Sequence, residues 1–433
     1  MKTILYKGTR IKGKNGGLYV VESLINHSTG QGDVYKIKND RKEVFALKLF
    51  HSGDRKKNLL QIERLIRRGQ ACEAFVTPIE IVECEGRVGY VMEYVGKEYD
   101  SAAVLFNGVE ENGRIVELGW TEKLAFLGQI AESFLVLNRA GLGVMDIKFD
   151  NILVNLADRS IKILDTDTIV YKGDEPMVLG TVGFMPPDTQ TRREEPNEYN
   201  DAYAIAVLIF MALLGAHPLD GKRRNQPCNE NIDAYLFGTH PVYLFHPSDT
   251  SNRPIPRDGY GMNQQRTIDK FKRYPKYFKD AMQKTFVAGL HDGKKRTTIE
   301  EWCEILERLY GDSFICETCG EEFFFHNADK VCPVCKQPVV KPVFLQSEDG
   351  KSVALFNGLT IFSTDLFFTT GQYDLFRVAE TVYDGRFGLE NLQSEPVLLK
   401  LPNGTVRQYR QGEAIPIFLD SEIVAENKTL RFV

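Results

Sequence analysis

The apolar positions of this chain change their period along its length. From about residue 17 to 95 they mostly alternate with polar ones, as in LYVVESLI, DVYKIK, EVFALKLF and RVGYVMEYV, the period-two pattern of strands with one covered face. One helical interruption, near 55 to 69, breaks that series. Residues 121 to 140 take helical spacing: Leu124, Leu127, Ile130, Phe134 and Leu137 share a face, Thr121 stands where an N-cap belongs, and Gly141 stands where the helix should stop. The run AIAVLIFMALLGA at 204 to 216 reads as a buried core helix, well short of the roughly 20 residues that span a bilayer. Past 341, short alternating runs (VALF, LTIF, VLLKL, IPIFL) separated by Gly, Asn, Asp and Pro predict a small all-β domain. The pattern therefore predicts a β-rich first lobe over 1–95, a helical second lobe over 96–311, a cysteine module over 312–340 and a β-rich domain over 341–433.

Composition refines this only slightly. A chain of 433 residues is too long for one ordinary core. With 54 Lys+Arg against 59 Asp+Glu the net charge is -5, which supplies no electrostatic reason for a nucleic-acid or anionic-membrane partner. The start, MKTILYKGTRIKGKNGG, alternates basic and apolar residues too quickly for a secretory signal. The expectation is a cytoplasmic protein. Of eight cysteines, Cys72, Cys84, Cys228 and Cys303 are scattered, whereas Cys316, Cys319, Cys332 and Cys335 form CxxC, twelve residues, CxxC. Two such knuckles can set four thiolates around a structural Zn²⁺, which would staple a module too small to hold a core. The module resembles a zinc ribbon, and the aromatics of EEFFFH are either its core or a contact surface.

Candidate chemistry lies between 27 and 165. In EVFALKLF, Ala46 and Lys48 point to one face, leaving room for a flat ring with a cation beside it. Upstream, HSTGQGDVYKI places Gly30 and Gly32 in a turn whose amides could cover phosphates. Glu63, in the helical stretch NLLQIERLIRR, is a candidate partner for Lys48. In NILVNLADRSIKILD two strands and a turn predict a hairpin that brings Asn151 and Asp165 to one end, with Asp146 a short loop away. Two oxygen donors of this kind suit Mg²⁺. Asp146 is then free to accept a proton from a hydroxyl, and Lys148 to offset phosphoryl charge.

Over 17–311 these residues resemble a eukaryotic-type (Hanks-type) Ser/Thr protein kinase. VFALK is similar to the family's VAIK, VMDIKFDN to HRDLKxxN, LDTD to the DFG segment, GTVGFMPPD to GTxxYMAPE, and DAYAIAVLIFMALLGAHP to the buried helix with its leading Asp, here Asp201. The resemblance implies the bilobal α+β kinase fold, ATP and Mg²⁺ as cofactors, and a protein substrate. It implies Lys48, Glu63, Asp146 and Lys148 as catalytic residues and Asn151 and Asp165 as metal ligands. Met92 becomes the gatekeeper, the backbones of Glu93 and Val95 become adenine contacts, and Val34, Ala46 and Leu153 sandwich the base. Arg296, in KKRTTIEEW, is implied as the structural partner of Asp188. The GQGDVYKI turn and the DTD tripeptide look most like a bacterial or phage branch, some of whose members accompany PP2C-type phosphatases and stress-response operons. Three departures stand out: His27 and Thr29 replace loop glycines, Val144 and Met145 replace the usual His and Arg, and Thr166 and Asp167 replace the Phe and Gly of DFG. The leading expectation is an active kinase; the alternative is a nucleotide-binding pseudokinase scaffold acting through its C-terminal zinc and β modules.

Overall fold

The computed structural model describes residues 4–27, 32–51, 55–70, 72–171, 180–193, 197, 199–227, 230–256, 263–325, 331–340, 342–366, 373–380, 387–425 and 427–433. Six antiparallel strands open the chain: β1 (Arg10–Lys12), β2 (Leu18–His27), β3 (Gly32–Asn39), β4 (Val44–Phe50), β5 (Glu80–Cys84) and β6 (Arg87–Glu93), in the order β1-β2-β3-β4-β6-β5. Helix α1 (Arg55–Arg68) packs on β5 and β6, with Ile62 and Leu65 buried. Register fixes what faces what: Val34 lies opposite Lys48, Ala46 opposite Met92, and Lys48 opposite Tyr90. Gly32 begins β3 because a Cβ there would come within 2.5 Å of the Leu49 carbonyl oxygen.

A short strand β7 (Asp100–Ser101), helix α2 (Val104–Asn107) and the hairpin β8 (Val109–Glu111) and β9 (Arg114–Val116) lead to the second lobe. Its first long helix is α3 (Trp120–Arg139), whose buried face includes Leu124, Leu127, Ile130, Phe134 and Leu137 as the periodicity predicts. The start differs from the sequence expectation. Gly119 occupies the cap position and Thr121 sits in the first turn, because the capping oxygen comes from Glu322, which accepts the Trp120 N–H at 2.7 Å. After α3 come β10 (Leu142–Val144), the hairpin β11 (Ile152–Val154) and β12 (Ile161–Ile163), and β13 (Ile169–Tyr171), which pairs back on β10. A one-turn helix α4 (Pro187–Gln190) precedes α5 (Asn200–Leu214), buried on almost every side as its composition requires and ended by Gly215 in the left-handed region.

The helix Ile299–Asp312 carries a full capping box, with Thr298 and Glu301 exchanging side-chain bonds with each other's backbone, and runs straight into the strand Ser313–Ile315. That strand pairs with Glu322–Phe324 to frame the cysteine module. Among the described residues from 342 onward the chain forms two antiparallel sheets, one of six strands and one of four. These parts share one interior. The apolar cluster of the helical lobe takes in Phe324 and continues through Leu345, Val353 and Ile361 to Phe432. Phe324 stacks on Trp120 with ring centres 4.9 Å apart and tilts against Tyr274 at 4.8 Å. At Gly311 a Cβ would stand 2.4 Å from the Ser352 carbonyl oxygen, so helix and sheet meet backbone to backbone.

Candidate active site

Hairpin β11/β12 does what its pattern predicts. Ile152 lies opposite Ile163, and the Leu164 N–H donates to the Asn151 carbonyl at 2.8 Å, so Asn151 and Asp165 stand side by side. Asp165 is held in the left-handed region (φ 54°), and its carbonyl accepts both the N–H and the hydroxyl of Thr168, closing a tight turn over Thr166–Thr168. A residue other than glycine is uncommon in this region, and the two bonds from Thr168 hold Asp165 there.

Asp146 is the centre of a small network. Its Oδ1 accepts the Thr181 hydroxyl at 2.5 Å, its Oδ2 pairs with Lys148 Nζ at 2.7 Å, and Asn151 Nδ2 donates to its carbonyl at 2.8 Å and to Oδ2 at 3.1 Å. Lys148 also donates to Thr181 Oγ1 at 3.0 Å. Thr181 reaches this place because Gly180 (φ 103°) passes so close to Met145 that a Cβ would lie 2.5 Å from its carbonyl oxygen. With its amide nitrogen engaged by Asp146, Asn151 keeps its side-chain carbonyl as an oxygen donor beside Asp165, the pairing that Mg²⁺ accepts.

The loop that carries Asp146 is braced from below. Val144 is buried, and its N–H donates to both carboxylate oxygens of Asp201, at 3.1 and 3.3 Å. Burial pushes the Asp201 carboxyl up to about 7, opposed by that N–H. A backbone amide thus supplies bracing, and the position asks only for an apolar side chain.

Lys48 is almost wholly buried, and its Nζ lies 2.8 and 3.1 Å from the two carboxylate oxygens of Asp167 and 3.1 Å from Asp165 Oδ1. Tyr90, opposite Lys48 in register, donates its hydroxyl to Asp167 Oδ1 at 2.8 Å. Burial alone would draw the Lys48 ammonium down; the fields of Asp167 and then Asp165 outweigh it and hold Lys48 above its ordinary range. Glu63 is not in this group. It pairs with Lys14 at 2.7 Å on the lobe surface, which corrects the expected Lys48–Glu63 pair. The reason lies in helix phase: the faces of α1 turned inward carry Asn58, Gln61, Ile62 and Leu65, and Gln61 donates to the Ile169 carbonyl.

Val34, Ala46, Met92 and Val95 belong to one apolar cluster, the wall expected for a base. Leu153 lies half-buried on β11 outside that cluster, paired with Lys162 and Ser101. Glu93 carries an ion pair to Lys162 at 2.8 Å, tying the strand end to the β11/β12 hairpin. Gly30 lies outside the described residues, and Gly32 is buried against Leu49. Asp188 meets His291 at 2.8 Å, whereas Arg296 is buried and donates to the carbonyls of Gly289 and Tyr199; the expected Asp188–Arg296 pair is replaced by these contacts. In the cysteine module the Sγ atoms of Cys316 and Cys335 are 3.7 Å apart and those of Cys319 and Cys332 3.8 Å, with all four within 4.8 Å of one another. Burial pushes the Cys316 thiol up, but the backbone N–H groups of Cys319 and Thr318, with the thiols of Cys319 and Cys332, outweigh it and bring the thiol down to about 7.

Sequence reasoning missed Asp167 and Tyr90 as neighbours of Lys48, and Thr181 as a direct partner of Asp146. Tyr90 was available from strand register; the other two depend on how a loop crosses another.

A sheet lobe that presents a buried lysine to paired aspartates at the foot of a helical lobe is the arrangement of a nucleotide-dependent phosphotransferase. Residues 28–305 match the protein kinase domain family, and the chain belongs to it. Similar proteins include an abscisic acid-inducible protein kinase of Triticum aestivum, 25% identical over 261 residues that cover 58% of this chain and 76% of the relative. Serine/threonine-protein kinase SRK2C of Arabidopsis thaliana is 22% identical over 64% of this chain and 82% of its own. Serine/threonine-protein kinase PknG of Mycobacterium leprae is 25% identical over 52% of this chain and 30% of its own. The chain is an ATP-dependent protein kinase, and the relatives it matches are serine/threonine kinases. Among the described residues no helix is long and apolar enough to cross a membrane.

Proposed function

We propose that this chain transfers the γ-phosphate of ATP to serine or threonine hydroxyls of a protein substrate, with Asp146 as the catalytic base. The observation that carries the reading is the Thr181–Asp146–Lys148–Asn151 network, which leaves a carboxylate beside an ammonium at the end of the hairpin that bears both metal donors. Asp146 orients the incoming hydroxyl and takes up its proton; Lys148 offsets charge on the transferred group; Lys48 does so on the nucleotide side. Asn151 and Asp165 are the residues that would hold Mg²⁺, which neutralises phosphate charge when bound. Val34, Ala46 and Met92 form the apolar wall for the base, with Glu93 and Val95 offering backbone groups.

The four cysteines support a structural Zn²⁺. Four thiolates about 2.3 Å from one tetrahedral ion lie about 3.8 Å from each other, and the two close pairs stand at 3.7 and 3.8 Å. We read residues 312–340 as a zinc ribbon and 341–433 as a β domain, both fastened to the kinase lobes over 1–311. The GQGDVYKI turn and DTD tripeptide support a bacterial or phage branch, and with it a PP2C-type phosphatase as a partner to be sought by co-purification.

Incubation with labelled ATP and Mg²⁺, beside Asp146→Asn and Asp165→Asn, tests the enzymatic part. Incorporation into a generic protein substrate by the parent chain, falling at least about 100-fold in each variant, is expected. Nucleotide binding without incorporation by the parent chain would transfer the reading to a scaffold.

A further inference from the structure

Every buried ammonium needs a standing counter-charge, because an unpaired one is far too costly to keep in a folded interior. The resemblance assigns that duty for Lys48 to a glutamate on α1. Here the glutamate is committed elsewhere. Glu63 is bound to Lys14, is more than a third exposed, and lies on a face of α1 that does not turn toward the cleft. The position two residues after Asp165, where the family carries glycine, instead holds an aspartate that is 7% exposed and grips Lys48 with both oxygens.

We infer that Asp167 is the positioning residue for Lys48, taking over the part expected of Glu63, so that the nucleotide-facing lysine and the metal-facing Asp165 are set by one tight turn and not by helix α1. Three independent contacts support this. Tyr90 is fully buried and gives its hydroxyl to Asp167 Oδ1, fixing the carboxylate from the sheet side. Thr166 gives its hydroxyl to the Val76 carbonyl at 2.7 Å, anchoring the turn to the segment before β5 in place of a packed aromatic ring. Thr168 closes the turn on the Asp165 carbonyl. The two substitutions in DTD therefore belong together: one replaces the missing anchor and the other the missing counter-ion. Asp167 meets Lys48 from one side and the Tyr90 hydroxyl from the other, with Asp165 two residues away on the same ammonium. It is thus a partner for the lysine, whereas Asp165, with about a third of its side chain exposed, is the oxygen left open to the cleft.

The inference rests on the proposed kinase function, and the test separates the two. Affinity for a fluorescent Mg-ATP analogue and steady-state kcat and ATP KM are measured for the parent chain, Glu63→Gln, Asp167→Asn, Lys48→Met and the Lys48→Met/Asp167→Asn double variant, with thermal melting of each. Asp167→Asn is expected to weaken nucleotide affinity about tenfold and to lower kcat further, while Glu63→Gln stays within about twofold of the parent on both. In the Lys48→Met background Asp167→Asn should add little to the loss of affinity, which a merely structural role for Asp167 would not produce. A tenfold loss on Glu63→Gln, or an Asp167→Asn effect undiminished without Lys48, overturns the inference. If the parent chain binds Mg-ATP but transfers no phosphate, the kinase reading fails, and the affinity cycle still decides the Lys48–Asp167 coupling.

Discussion

Arg159 offers the sharpest test of how the C-terminal sheets bear on the β11/β12 hairpin. It sits in the turn between β11 and β12 with φ 57°, and its guanidinium lies 4.2 Å above the Phe362 ring and 3.8 Å from Asp365. Both side chains are largely covered, at 14% and 5% exposed. Two charges at that separation attract by about 4 kcal/mol at an effective dielectric of about 20. A desolvated cation–π contact adds about 1–2 kcal/mol, and desolvating both ions offsets much of the sum. Removing one partner is a different matter, because it strands the other. Asp365 would keep the Phe362 N–H at 2.8 Å, so we expect Arg159→Ala to cost about 3 kcal/mol, at the low end for a broken buried pair.

The cost should depend on pH. Burial already pushes the Asp365 carboxyl above its usual range, and Arg159 is the first group that opposes it. Without Arg159 that carboxyl rises further, so the folded state resists ionisation and the penalty grows as pH increases from 5 to 8. Urea unfolding at both pH values, for Arg159→Ala, Asp365→Asn and the double variant, measures this. Asp365→Asn should be nearly free in the Arg159→Ala background, and the hairpin's loss of support should raise the Mg²⁺ concentration needed for half-maximal activity severalfold. A cost below about 1 kcal/mol, or strictly additive single effects, would refute the clamp.

Other consequences are equally direct. A strong chelator should release the cysteine module and expose Trp120, which stacks on Phe324, so the emission of a Trp302→Phe variant should shift to the red; an unchanged spectrum with metal removed would show that the strands hold without it. Glu322→Gln keeps an oxygen at the start of α3 but loses the charge that favours a helix N-terminus, and should cost about 0.5–1 kcal/mol in urea unfolding. Asp201, with its carboxyl raised to about 7, binds a proton in the folded state that the unfolded chain releases near pH 4, so stability declines as pH rises between those values. Asp201→Asn should remove that part of the slope; an identical slope in the variant would contradict it. Because Thr166 and Thr168 are buried and Met145, not an arginine, stands directly before Asp146, phosphatase treatment should leave activity within about twofold; a large loss would reveal a phosphorylated switch.

How far the sequence could be read depended on whether a contact is local. The hairpin bearing Asn151 and Asp165 follows from alternation and a turn, and the helical face of α3 from spacing, since each is decided within about twenty residues. Helix phase was harder. Glu63 falls within the correct helix, but its direction is set by which neighbours fill the interior, and Gln61 and Ile62 win those places. The cap of α3 illustrates the same limit, because Glu322 arrives from two hundred residues away where Thr121 seemed sufficient locally. Asp188 likewise met His291, a residue carrying no motif. Asp167 stands out in the sequence only as a replacement for the glycine of DFG, because its partners Lys48 and Tyr90 come from two distant strands.

The shared interior of the helical lobe and the C-terminal sheets also constrains the protein's manufacture. The strand Phe344–Ser347, which joins that interior, pairs with Lys428–Phe432, so the lobe's apolar flank stays uncovered until the ribosome has made residues 428–432. At ordinary elongation rates that interval, from the end of the kinase lobes onward, lasts about 10 s. Through that interval the flank is an exposed apolar surface of the kind that invites aggregation, so a chain stalled before residue 428 should depend on a chaperone to stay in solution.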